Sequence, residues 1–494
     1  MDDSEAATVG PLRETVRRDR PPRAGLVGGI TAKARMTALI VATALFMENL
    51  DSTVVSTALP SMAHAFGAAP VHMNVALTSY LLALAAFIPA SGWMADRFGA
   101  RNVFRVAIVV FTLGSIACGA VNSLPELVLA RILQGAGGAM MVPVGRLLLL
   151  RSVAKSEVVA AMAWLTMPAL IGPLVGPPVG GFIVTWFSWR WVFDINIPIG
   201  VLGVLLVTYF VEDVREDAVA RFDRTGFVLS GVAMAATMFG METLGRGVVA
   251  PVISGAALVL GGGTIAGYAW NARRSAAPLL DLSLFRIPTF MVSTFAGTLF
   301  RIGVGAVPFL LPMMLQIGFG LSALQSGMIT FAGSAGALVM KPAAVGLLRR
   351  LGFRTTLVWN GVLSTASLAI VGFFRPSWPL LAIYAALLLG GFLRSLQFTA
   401  FNSLAYADIP RERMSAATSL YATIQQLSLT IGVSAGAAML AVSMAVGGHA
   451  QPELPDFTAG FLGISCLMLL ASPAALLMPR AAGREMSGHR ARAE

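Results

Sequence analysis

The chain has 494 residues, of which 56% are hydrophobic and only 12% charged, about half the ~25% charged of an ordinary soluble domain. Its apolar residues fall in repeated stretches of roughly 18 to 25, the length that crosses ~30 Å of hydrocarbon as a helix, which excludes a soluble globule. The net charge of +11 argues for no nucleic-acid surface either, because the basic residues sit in short connections between the apolar stretches and not on one face.

Taken in order, Met1–Arg35 is polar, carries Pro21-Pro22 and lacks the apolar core and cleavage site of a secretory signal, so it reads as a cytoplasmic tail without fixed structure. Hydrophobic runs then predict helices over 36–59, 74–95, 103–122, 125–149, 157–185, 197–211, 226–245, 252–270, 288–313, 322–346, 355–374, 379–402, 415–442 and 457–478. The expected fold is an all-α polytopic membrane protein of about fourteen transmembrane helices. Two six-helix halves, 36–211 and 288–478, would flank a linker, 212–287, holding two extra helices, with a second cytoplasmic tail at 479–494. The two linking helices are glycine-rich (Gly231, Gly240, Gly255, Gly261, Gly262, Gly263).

Charge tests this list. With the N-terminus inside, inner tails and loops hold 27 Lys or Arg, outer loops hold three (Arg190, Arg246, Arg375), and five (Arg131, Arg146, Arg301, Lys341, Arg394) lie within spans. That asymmetry predicts an even number of crossings in the cell membrane, the inner one where there are two, with both termini cytoplasmic.

The loop after the second helix, Gly92-Trp93-Met94-Ala95-Asp96-Arg97-Phe98-Gly99-Ala100-Arg101, combines turn-forming glycines with an acid and arginines able to pair between helix ends. A weaker copy, Gly346 to Arg354, follows the tenth helix, as a repeat of two halves would leave, but it departs from the first in having Arg349 near the position of the acid. The sequence here resembles the major facilitator superfamily, in particular its fourteen-span drug:proton antiporter branch. The loop 92–101 is similar to that superfamily's glycine-acid-arginine motif, and Leu127–Gly135 to its arginine-glutamine-glycine motif. Gly172, Pro173, Gly176, Pro177, Gly180 and Gly181 resemble the antiporter glycine-proline motif. Leu50–Val55 with Ala58–Pro60, and Trp189–Gly200, resemble the first helix and the fifth-to-sixth junction of the branch. The resemblance covers about residues 36–478 and implies alternating access, a gating role for Gly92, Asp96, Arg97, Gly99 and Arg101, and proton transfer at Arg131.

Glu48 and Asp51 are three apart, so they share a helix face, and a carboxylate facing lipid would cost ~2.5–3.5 kcal/mol at a helix centre. They are the candidate proton-coupling acids, the alternative being that Asp51 only hydrogen-bonds its neighbours. Arg131 either joins them or snorkels outward; Arg146, nearer the inner end, reads as snorkelling. The fifth-helix glycines and prolines predict close helix contact and a bend, serving as pivot and seal. Phe46, Gln134, Phe300, Arg301 and Arg394 are candidate substrate contacts.

The resulting expectation is a non-enzymatic, proton-coupled exporter of small molecules, monomeric, with no cofactor and the proton gradient as energy source. The chain lacks a phosphate-binding Gly-x-x-x-x-Gly-Lys-Ser/Thr, and Cys118, Cys466 and its histidines (His64, His72, His449, His489) have no metal-site spacing. The intramembrane excess of cations leads to an alternative, an anionic metabolite or metal chelate held near Arg301 and Arg394. A receptor that binds without transporting is the third reading.

Overall fold

The structure is a computed structural model that describes residues 30–67, 73–212, 221–243, 249–449, 451–479 and 482–487. Most of the two expected tails, and residues 213–220 and 244–248 of the expected linker, the latter with Arg246, lie outside the described residues.

The described residues form helices and no strands. In order these are α1 (Ala32–Phe66), α2 (Asn74–Phe87), α3 (Ser91–Phe98), α4 (Ala100–Ala120), α5 (Leu124–Ser152) and α6 (Val158–Trp186). A short α7 (Trp191–Asp194) leads into α8 (Asn196–Phe210), followed by α9 (Arg224–Thr243) and α10 (Pro251–Arg274). Then come α11 (Pro288–Met313), α12 (Ala323–Leu351), α13 (Phe353–Thr355), α14 (Gly361–Val371), α15 (Leu380–Leu404) and α16 (Met414–Gly447). The chain closes with α17 (Leu454–Leu469), α18 (Ala471–Leu476) and α19 (Arg484–Ser487).

Among the described residues 13 helical segments are long and apolar enough to cross a membrane. The expected span over 355–374 is not one of them: α13, a π turn at Thr356–Asn360 and the 11-residue α14 make one continuous helical run, but Arg354, Thr355, Thr356, Asn360, Ser364, Thr365 and Ser367 make it less apolar than the others. Counted with it, the helices match the expected about fourteen. The second span is likewise irregular: Pro89 cannot donate to the helix ladder, and a 3₁₀ turn at Ile88–Ala90 joins α2 to α3.

Connections expected on the inner side meet at one end of the bundle. Thr31 donates its N–H to Glu157 at 2.6 Å, Lys33 pairs with Glu212 at 2.6 Å and Arg151 with Asp96 at 3.2 Å. Arg413 pairs with Asp281, and Lys155 with Glu485 at 3.4 Å. Burial does not offset the other influences on Asp281, whose hydrogen bonds to Ser283 and Arg413 hold its carboxyl below the usual range. At the opposite end Phe66 stacks edge-on with Trp189, and Arg375 bonds Thr458 at 3.1 Å. Only an even number of crossings between successive basic loops allows this sorting.

Long helices pack pairwise: α1 on α6, α4 and α2 on α5, α12 on α15, α11 on α16, and α9 on α10. The interior is apolar, while large apolar side chains such as Leu129, Val259 and Leu381 are 68%, 76% and 80% exposed. An outer surface of this kind is stable only against lipid.

Candidate functional site

A buried polar cluster built around an acid and an arginine lies within the first six spans. Ser123 caps α5 by accepting the N–H of Glu126, and Pro125 occupies the first turn. Seven residues beyond its start, about 10 Å into the helix, α5 presents Arg131 inward. The side chains of Arg131 and Asp51 are both completely shielded, and Arg131 Nη1 donates to Asp51 Oδ2 at 2.7 Å. Asp51 Oδ1 accepts from Gln134 Nε2 and from Asn196 Nδ2, each at 2.9 Å.

A second tier holds these donors in place. Arg131 Nη1 also donates to Gln134 Oε1 at 2.7 Å and Nε to the Ala76 carbonyl at 3.2 Å, with the guanidinium carbon 4.3 Å from the Tyr80 ring centre. Asn196 donates to Ser115 Oγ at 3.0 Å, and Ser115 in turn donates to the Phe193 carbonyl at 2.9 Å. Thus α1, α2, α4, α5 and α8 converge on one carboxylate. Burial of an ion pair is tolerable only with such surplus hydrogen bonds. Arg131 does not snorkel, and Gln134, expected against substrate, is taken up wholly in this network.

Glu48 lies one turn before Asp51, partly exposed, with Oε2 buried and without a hydrogen-bond partner. The glycine-proline helix α6 runs parallel to α1. A Cβ at Gly172, Gly176 or Gly180 would stand 3.0 Å from Leu50 N, 2.0 Å from Thr53 Oγ1 or 2.1 Å from Thr57 Oγ1. Three glycines spaced by four therefore let the two backbones touch. Gly181 faces open space and Pro173 is exposed; the Pro177 side chain lies outside the described residues.

The stretch 92–101, expected as a loop, is the end of α3, Gly99 and the start of α4, and it sits where the second span meets α16. A Cβ on Gly92 would be 2.8 Å from the Ser415 carbonyl oxygen. Asp96 accepts from Ser415 Oγ and from Arg151. Ser419 donates to the carbonyls of Ile88 and Pro89, at 3.2 and 2.9 Å, on the 3₁₀ turn. Gly99 has φ of 85°, a conformation that favours glycine. Arg97 is exposed, and Arg101 is partly buried.

Arg146 corrects the sequence expectation. It is 5% exposed and does not snorkel: Nη1 donates to Tyr406 at 3.2 Å and to Gln425 at 3.3 Å, joining α5 to the last spans. Arg301 on α11 is 1% exposed, and Nη1 donates to Tyr421 at 2.9 Å while Nε and Nη2 have no partner. The guanidinium carbons of Arg301 and Arg146 lie 4.9 and 5.7 Å from the same Tyr421 ring centre. Arg394 stands apart, beside Gly390 and Gly333, with Nη1 buried and unpartnered. Lys341 donates to Thr399 at 3.0 Å. Among the described residues none of these four cations pairs with a carboxylate. Phe300 packs against Phe401 in the core, 1% exposed, whereas Phe46 is partly exposed.

Sequence reasoning did not single out Ser115, Tyr80, Ser415, Tyr406, Tyr421 or Gln425. Asn196 stood inside the quoted Trp189–Gly200 stretch, a lone amide opening an apolar helix, and that was a usable signal.

An all-helical, multiply spanning bundle with an apolar outer surface defines an integral-membrane protein. A family model described as Major Facilitator Superfamily matches residues 41–433, and the chain belongs to that superfamily. A protein of Salmonella typhimurium (strain LT2) named "Putative multidrug resistance protein MdtD" is 41% identical over 413 residues, 81% of this chain and 85% of that one. One of the same name from Serratia proteamaculans (strain 568) is 39% identical over 450 residues, covering 89% and 92%. Among solved structures, the human organic anion transporter MFSD10 superposes with a TM-score of 0.65 at 15% identity, covering 90% of this chain and 99% of that one. The proton:xylose symporter XylE gives 0.61 at 14%, covering 92% and 98%. These two likenesses show the fold.

Proposed function

We propose that the chain is a proton-driven exporter of small molecules, with Asp51, Glu48 and Arg131 coupling proton movement to alternating exposure of a site between the two halves. The observation that carries this reading is the fully shielded Asp51–Arg131 pair beside a second acid, a costly arrangement inside a membrane that packing alone does not require. The seam at Gly92, Asp96, Ser415 and Ser419 supports closure at the basic end, which leaves the other end to open. The names of the bacterial relatives point toward drug-like cargo.

The test is flux in proteoliposomes under an imposed pH gradient, with ethidium as a cationic probe and fluorescein as an anionic one. Gradient-dependent movement of either against its own concentration supports the reading, and movement indifferent to the gradient overturns it.

A second reading concerns cargo charge. Arg146 and Arg301 converge on Tyr421 without a carboxylate, and a carboxylate-bearing cargo would supply the missing partner. Preference for fluorescein over ethidium, lost in Arg301→Gln, supports it.

A further inference from the structure

Asp51 and Glu48 are both acids on one face of α1, but their surroundings differ in a way that assigns them different work. Asp51 receives three donors on its two oxygens, one of them a guanidinium. Adding a proton to Asp51 would place a fourth hydrogen among those donors, disturb at least one of those bonds and leave Arg131 without its counter-charge in a shielded site. Glu48 Oε2, one turn away, makes no hydrogen bond. A proton added there breaks nothing and removes a negative charge standing beside another. Glu48 as a residue is also partly exposed where Asp51 is not.

We propose that Glu48 takes up the transported proton in the conformation described here, while Asp51 remains ionised as a fixed counter-charge to Arg131. The assignment rests on the proton-coupled reading above. Other ionisable groups around the acid are accounted for. Tyr80 on α2 is within electrostatic reach of Glu48, Asp51 and Arg131, and Cys118 on α4 within reach of Arg131 and Asp51. Helix α6, packed along α1, contains no ionisable residue; α8 brings Asn196, and Asp194 of α7 faces Gly119. None of these competes with Glu48 as an acid facing Asp51.

The experiment is infrared spectroscopy of the full chain reconstituted in lipid, titrated over the pH range in which it stays folded. A buried protonated carboxyl has a carbonyl stretch above that of a hydrated one. The wild-type band is expected to grow as pH falls, to vanish in Glu48→Gln, to shift in Glu48→Asp and to persist in Asp51→Asn. A band unchanged in Glu48→Gln, or one lost only in Asp51→Asn, overturns the assignment; the two Glu48 variants decide it even where Asp51→Asn does not fold. Proteoliposome flux separates the levels of the argument. Wild-type protein indifferent to the pH gradient removes the proposed function, whereas gradient-driven pumping undiminished in Glu48→Gln removes only the role of Glu48.

Discussion

Asp51 and Arg131, 80 residues apart in sequence, meet at 2.7 Å with neither side chain reachable by water. Removing either partner leaves a buried charge without its complement, which costs about 3–5 kcal/mol. Asp51→Asn and Arg131→Gln are therefore each expected to unfold earlier on heating in detergent. The double variant is expected to lose less than the sum of the two, the coupling that a double-mutant cycle reads.

Helix contacts made by glycine give a second prediction. A Cβ at Gly336 would fall 1.9 Å from the Leu388 carbonyl oxygen, so Gly336→Ala must push α12 from α15. Overpacking of this kind costs about 1–3 kcal/mol. Gly262 has nothing within 4 Å, and Gly262→Ala is expected to be neutral or slightly stabilising through helix propensity. Thermal unfolding of the two variants side by side checks the contrast.

The seam at the basic end depends on Asp96, which accepts from both Arg151 and Ser415. Asp96→Asn weakens both contacts. Each 1.4 kcal/mol lost raises the open population about tenfold. A cysteine at Ile88, with Cys118 and Cys466 replaced, is expected to react faster with a thiol reagent in Asp96→Asn than in its parent. Equal rates would mean that Asp96 does not hold the seam.

At the other end, His449 Nδ1 lies 2.8 Å from Asp456 Oδ2 and Nε2 lies 3.9 Å from Glu453, fastening the link between α16 and α17. The Asp456 contact lifts the His449 pKa above its ordinary 6.5. A histidine raised in the folded state contributes fully below the ordinary value and loses that contribution as pH climbs through the raised one. Amide exchange over residues 449–456 is expected to quicken across that upper window in the wild type, and to show no such step in His449→Gln.

Much of the architecture was legible beforehand because a membrane restricts the options. A run of apolar residues long enough to span must be a helix, and the excess of arginine on alternate loops counts the crossings. The span at 355–374 is instructive: hydropathy reports the run but not the π turn at Thr356–Asn360 within its helix. Arg131, Asp51 and the α6 glycines were also visible, since charge or repeated small residues inside an apolar run require a partner.

Which partner was another matter. By itself the sequence determined that this protein crosses the membrane repeatedly, with buried acids and arginines needing compensation, because desolvation acts on each residue wherever it sits. Only the tertiary structure decided that Asp51 draws its donors from Arg131, Gln134 and Asn196, that Glu48 has none on Oε2, and that Arg146 reaches Tyr406 and Gln425 instead of the interface. A hydrogen bond depends on directions and distances of a few ångströms between helices up to hundreds of residues apart, and a linear pattern carries no record of those.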